Sequence, residues 1–291
     1  MGTSSSHSGP CDRPGLLPSW AIGDGDAGVP AGGGEVDPNE SAQGDGGQTD
    51  AAEKTAPGPA DPAPPRHWQS AKSGMTRYAR SGGGGAGLRS VGSGYVRAKG
   101  GARRAASSAA SGRSASRQIG GFLSSVVRSG VQQALDSIGL HDIVGQSSDR
   151  VLTRLVDALA PAGSTKEAAA ARRAAIEVLE FLYETVISED GDLSSLEQMD
   201  QETVEEAVTR SVSGYIYNRW LDELGLSIER GAVNEAAAVR LEREVKEYVE
   251  LCVALELDGK SVIEIDWGGR EGRRIIDRVY RDAYALLEVG S

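Results

Sequence analysis

Apolar residues are distributed so unevenly along this chain that only part of it has the material for a core. Of the 39 glycines, 26 lie at or before Gly121, whereas most large aliphatic and aromatic side chains follow it. A segment that buries little apolar surface cannot offset the entropy of ordering its own backbone. The 291-residue chain is therefore expected to divide into an unstructured front and a folded back. The back, about 170 residues, is long enough for one core.

Charge divides the chain a second time. Residues 1–61 carry ten acids against Arg13 and Lys54. No acid then occurs until Asp136, and the interval holds Arg66, Lys72, Arg77, Arg80, Arg89, Arg97, Lys99, Arg103, Arg104, Arg113, Arg117 and Arg128. The remainder holds 32 acids against 17 bases, within a net charge of −11. Three regions are expected: residues 1–65, a disordered acidic Gly/Pro-rich tail; residues 66–115, a basic Gly/Ser/Arg-rich linker with at most short helices; and residues 116–291, an acidic all-helical domain. Segregated charge of this kind marks an interaction arm, or an arm that folds back on its own domain.

The fold class expected is all-α, with about six helices after the long N-terminal region. Ile119, Phe122, Leu123, Val126, Val127, Val131, Leu135 and Ile138 recur at helical spacing, and Gly139 supplies a stop. A second helix starts at Ser147–Asp149 and stops at Pro161. A third opens on Ser164-Thr165-Lys166-Glu167, the pattern of a capping box. The fourth spans residues 200–224 and ends at Gly225; the fifth covers residues 231–257; the last runs over residues 269–288. Val262, Ile263 and Ile265 read as a short strand or an irregular packing segment. Before residue 116, one weak helix is expected at 66–80, carrying Trp68, Met75 and Tyr78. A second short one is expected near 103–110.

Motifs for chemistry are sparse. His7, His67 and His141 have no partners at metal or triad spacing. Gly259-Lys260-Ser261 lacks the earlier glycine of a phosphate loop, because position 254 is alanine. Glu189, Asp190, Asp192 and Glu197 fail the spacing of a calcium loop. Glu177, Glu180 and Glu184 are read as a solvated helix face. No catalytic residue, metal site or cofactor is expected, and the chain is read as a non-enzyme. Cys11 and Cys252 imply no disulfide framework. No apolar run approaches membrane-spanning length and no secretory leader is legible, so no membrane contact and a cytoplasmic location are expected.

Three features point to partners. Leu16, Leu17, Pro18 and Trp20 form an isolated apolar patch in the tail; it reads as a docking peptide or as a chance cluster. The basic stretch offers Arg77, Arg80, Arg89, Arg97, Arg103 and Arg104 for phosphates, with Tyr78 and Tyr95 for stacking on bases. The alternative is a linker that contacts the acidic domain or a protein partner. Finally, removal of Met1 before the small Gly2 exposes a nucleophilic glycine amine. An ordinary processed terminus and N-myristoylation are the other readings of that segment.

A family resemblance joins these features. Met1-Gly2-Thr3-Ser4-Ser5-Ser6 followed by Leu16-Leu17-Pro18-Ser19-Trp20 resembles the start of the QatB family of the bacterial Qat anti-phage defence system. Thr76-Arg77-Tyr78-Ala79-Arg80-Ser81-Gly82-Gly83, Ser93-Gly94-Tyr95-Val96-Arg97 and Gly100-Gly101-Ala102-Arg103-Arg104 are also similar to it, as is the helical half. The resemblance implies three partners: an ATPase, a QueC-like 7-deazaguanine enzyme and a TatD-like nuclease. It further implies that the QueC-like enzyme uses the chain as a protein substrate and places a deazaguanine-type group on the Gly2 amine. A nucleic-acid-binding adaptor acting through the basic stretch is the second expectation.

Overall fold

A computed structural model describes residues 65–141, 143, 146–187, 193–232, 234–257 and 261–289, which are helical almost throughout and form no strand. The expectations about the tail, including Gly2, Leu16, Leu17, Pro18 and Trp20, lie outside the described residues. So does most of the Gly259-Lys260-Ser261 segment.

The helices are α1 (Pro65–Arg80), α2 (Gly85–Ala98), α3 (Ala102–Ser108), α4 (Ala110–Ser129), α5 (Val131–Ser137), α6 (Ser148–Leu159), α7 (Lys166–Thr185), α8 (Gln201–Gly231), α9 (Glu235–Leu257) and α10 (Arg270–Val289). A 3-10 turn, Leu193–Gln198, precedes α8. The all-α class expected from the periodicity is the class observed.

The organising element is α8, whose buried residues include Val208, Ser211, Tyr215, Arg219, Trp220, Ser227 and Ile228, and so fall on every side of the helix. A helix buried all round needs neighbours all round. It packs on α1, α4, α7 and α9. Close approach is bought by small residues. A Cβ at Gly231 would stand 2.6 Å from Ala79 Cβ of α1, and one at Gly214 would stand 3.3 Å from Ala174 Cβ of α7.

The principal correction concerns residues 66–115, expected as a linker with only a weak helix at 66–80 and a short one near 103–110. They form α1, α2, α3 and the start of α4, and they supply core residues Met75, Tyr78, Leu88, Val91, Tyr95 and Val96. Gly92 and Gly112 there are contact points rather than breaks. A Cβ at Gly92 would meet the Leu287 carbonyl at 3.2 Å, and one at Gly112 would meet the Tyr215 ring at 2.5 Å. Burial of a helix against large aromatic side chains outweighs the roughly 1 kcal/mol that each interior glycine costs.

Helix boundaries needed smaller corrections. The first helix expected after Ser116 starts at Ala110 and is interrupted at Gly130, where φ is +87° and the Val131 N–H that opens α5 donates to Glu197 Oε1 at 2.9 Å. Helix α8 continues through Gly225 to Gly231, because both of its ends have partners to pack against. The cap of α7 is Thr165, whose Oγ1 accepts the Ala168 N–H at 3.1 Å. Val262, Ile263 and Glu264 make turns rather than a strand. They hold buried Trp267, whose Nε1 donates to Ser124 Oγ at 2.9 Å and to the Val262 carbonyl at 3.0 Å.

Candidate functional site

The residues singled out in the basic stretch fall into two groups. Arg77, Arg80, Arg89, Arg97, Arg103 and Arg104 lie exposed on α1, α2 and α3. Helix periodicity puts them on the outer faces because the opposite faces carry the apolar residues. Tyr78 and Tyr95 are core residues, which removes them as stacking platforms for bases. The Tyr78 hydroxyl donates to Glu244 Oε2 of α9 at 2.6 Å. Its ionisation is pushed far up by burial, and then by that carboxylate. The Tyr95 ring stacks on Trp220 of α8, with centroids 5.1 Å apart and planes 18° apart, and Trp68 meets it edge-on at 6.2 Å.

Beside this aromatic stack lies a charge cluster that the sequence did not reveal. Arg219 is buried, with Nη2 3.3 Å from Glu167 Oε1 and 3.4 Å from Glu223 Oε1. Lys99 sits over the Tyr95 ring with Nζ 5.5 Å from its centroid. Desolvation, with Arg219 nearby, brings the Lys99 ammonium down to about 8. Arginine on a mostly buried face is legible only once that face is known to be buried, and α8 has too little amphipathic pattern to disclose it.

A cleft of about 660 Å³ opens at one end of the basic helices. Its lining combines His67 and Ser70 of α1, Gly94 and Arg97 of α2, Gly100 and Gly101 of the following turn, Arg104 of α3 and Glu288 of α10. Gly100 and Gly101 hold φ near +90° and +91°, a conformation that suits glycine and reverses the chain between α2 and α3. The reversal lays Arg104 back over the turn: a Cβ at Gly100 would stand 3.5 Å from its Nη1. Glu288 Oε2 accepts the Ala102 N–H, which opens α3, at 3.1 Å.

A second cleft, about 480 Å³, lies between α7, α8 and α9. It gathers Glu177, Glu180, Glu184, Glu206 and Glu250 with Arg210 and Lys246. Glu177 is tied to the Lys246 ammonium and to the Asn218 amide, each at 3.0 Å. Burial raises the pKa of both Glu180 and Glu250. The solvated face expected for these acids is thus a partly desolvated one, with its charges interleaved by two cations.

His141 makes a local, exposed pair with Asp136 at 3.1 Å. Cys252 is a buried thiol pushed up to about 11 by desolvation. Among the described residues no group of three or more His, Cys, Asp or Glu side chains is placed to hold a metal ion. No described helix is long and apolar enough to cross a membrane.

The family model described as Qat anti-phage system associated protein QatB matches residues 100–287. The chain belongs to the QatB family. No curated protein and no solved structure matches it. The QatB match opens at the glycine turn of the basic cleft and closes in the last turn of α10. Helices α1 and α2 precede it, yet they pack on α8 and α10, within the matched region. The chain is thereby a component of the Qat anti-phage system.

Proposed function

We propose that this chain is a non-enzymatic subunit of the Qat system and the protein substrate of a QueC-like partner. The QatB match over residues 100–287 carries the reading. The resemblance of the N-terminal segments supports the finer part of it. The partner activates a deazaguanine-type carboxylate with ATP, the Gly2 amine attacks the activated carbonyl, and an amide forms as the activating group leaves. The helical unit serves as the docking body for that enzyme, for an ATPase and for a TatD-like nuclease, and the complex works in the cytoplasm. Leu16, Leu17, Pro18 and Trp20 are the contacts proposed for recognition of the N-terminal segment.

Intact-mass and peptide mass spectrometry after coexpression with the QueC-like enzyme tests this directly. The expected result is a mass increase confined to the peptide that begins at Gly2, and its disappearance with a catalytically dead partner. An unmodified N-terminal peptide beside an active partner rejects the substrate role.

A second reading keeps the chain as a nucleic-acid adaptor. Six exposed arginines on α1–α3 favour it. With Tyr78 and Tyr95 in the core, such binding rests on phosphate contacts alone, so it discriminates little between sequences and weakens steeply with salt.

A further inference from the structure

Helix α10 carries its cations in an order that does not serve the helix itself. Arg270, Arg274, Arg278 and Arg281 recur every three or four residues and all are exposed, while Ile276, Val279, Tyr280, Ala283 and Tyr284 are buried on the opposite side. Residues 270–281 hold five arginines against Glu271 and Asp277. The helix macrodipole favours acids in the first turn and cations in the last. Here Arg270 and Arg273 open the helix, and no basic residue occupies its last turn. A stripe placed for stability would run the other way.

Nor do these arginines neutralise the protein's own acids. Elsewhere in the acidic half, Arg172, Arg173, Arg210, Arg219, Arg240 and Lys246 are ion-paired. Among the described residues, Arg270, Arg274 and Arg278 have no carboxylate within ion-pairing distance. Asp277, the acid within the stripe, is taken up by Arg113 of α4 at 2.7 Å. Arg281 reaches its sequence neighbour Asp282 at 3.4 Å. Helices α3 and α4 pack against α10, and both lie in the acid-free stretch between Asp61 and Asp136. The stripe, α3 and α4 all fall within the QatB match over residues 100–287, which α1 and α2 precede.

The face has little with which to anchor a protein. The exposed large apolar residues of the described part are Leu226, Val239, Leu251 and Val289, none of them between Arg270 and Arg281. Protein interfaces turn on such anchors, whereas nucleic-acid interfaces are polar and strongly positive. The aromatic ring within the stripe, Tyr280, is buried, so the bases of a single strand have nothing there to stack on. We therefore propose that the outer face of α10 binds the phosphate backbone of a nucleic-acid duplex. From Arg270 to Arg281 the stripe extends about 17 Å along the helix, and each guanidinium fork pairs with a phosphate through two parallel hydrogen bonds. The inference rests on the adaptor reading for its class of partner and moves the contact from α1–α3 to α10. The net charge of −11 repels a duplex from the chain as a whole, so binding depends on this local face.

Full-length protein is titrated with a labelled DNA duplex of about twenty base pairs, by fluorescence anisotropy between about 0.05 and 0.2 M salt. Three or four phosphate contacts give a slope of about −2.7 to −3.6 for log affinity against log salt. Arg270→Gln, Arg274→Gln and Arg278→Gln are each expected to weaken binding by about five- to tenfold at about 0.1 M salt and to lower the slope by about one. Arg270→Gln removes a cation from the positive end of the helix and melts at or above the parent's midpoint, so its weaker binding is not unfolding. The combined Arg77→Gln, Arg80→Gln and Arg89→Gln variant, exposed on α1 and α2, leaves binding unchanged. Binding lost in that variant and kept in the α10 variants overturns the α10 face while leaving the adaptor reading standing. No binding of the duplex by the parent at about 0.05 M salt overturns both. A single strand of the same length bound more tightly than the duplex, or oligoglutamate of equal charge displacing it, overturns the choice of partner.

Discussion

Truncating Tyr95 separates a folded residue 66–115 segment from a linker in a single experiment. The ring is fully buried, stacked on Trp220 at 5.1 Å and touched edge-on by Trp68 at 6.2 Å. Tyr95→Ala removes the ring and leaves a cavity beside Trp220, which for a large buried aromatic costs about 3–5 kcal/mol. In a unit of this size each kcal/mol moves the midpoint by about 2–4 °C, so Tm should fall by about 6–20 °C. A side chain on a solvated linker would shift stability by no more than about 0.5 kcal/mol. Tyr95→Phe provides the control. The Tyr95 hydroxyl is buried and has no hydrogen-bond partner. Its removal is therefore expected to be neutral within about 0.5 kcal/mol, or slightly stabilising. Thermal melts followed by far-UV circular dichroism, with urea titrations to extract free energies, read both variants. A Tyr95→Ala protein that melts within about 2 °C of the parent would refute the packing of α2 on α8.

Two glycines should respond in opposite directions. Gly112→Ala places a Cβ 2.5 Å from Tyr215 Cγ and 2.6 Å from the Tyr280 hydroxyl, and should destabilise by about 1–3 kcal/mol. Gly74→Ala in α1 meets nothing within 4 Å, and should stabilise by about 0.4–1 kcal/mol; both are read by urea unfolding, and equal effects would contradict the geometry. Lys99 gives a pH signature. Its folded pKa lies near 8, below the ordinary lysine value of 10.5. Above pH 8 the unfolded chain therefore binds more protons than the native one, and this group's contribution to stability rises with pH. The advantage of Lys99→Met over the parent is expected to be largest below about pH 8 and to shrink toward pH 10, measured as the difference in melting midpoint across that range; a constant difference would place the ammonium in solvent.

Legibility in the sequence followed how much each helix depends on its own pattern. Helices α6, α7, α9 and α10 are visible because each has a clear apolar stripe or a local stop such as Pro161. The Thr165 cap is legible for the same reason: it is a contact three residues long. Helix α1 is legible as a weak helix at 66–80, but its packing is not, and α2 is not legible at all, although Leu88, Val91 and Tyr95 stand three and four residues apart. Their glycines and serines score as breakers in any local reading, and what offsets them is a surface more than a hundred residues away, such as Leu287 and Trp220 against Gly92. The arginines were found as a charge run, but a run cannot say which residues converge. That needed the turn at Gly100 and Gly101, which brings Arg104 back beside Arg97.

One clue within the sequence did bear on the packing of residues 66–115. The stretch from Val204 to Leu224 reads as a helix with Val204, Val208, Val212, Tyr215, Ile216, Trp220 and Leu224 spread widely around it. Six helices that each cover one face leave such an element partly bare, and an apolar helix face of that length does not persist in water. The demand for extra neighbours is met by α1 on one side of α8 and by α2 through the Tyr95–Trp220 stack. Meeting it fixes the basic segment in place. Arginines on a linker act as a diffuse cloud whose effect depends only on their number. On α1, α2 and α3 the same residues hold set positions on the outer faces of packed helices.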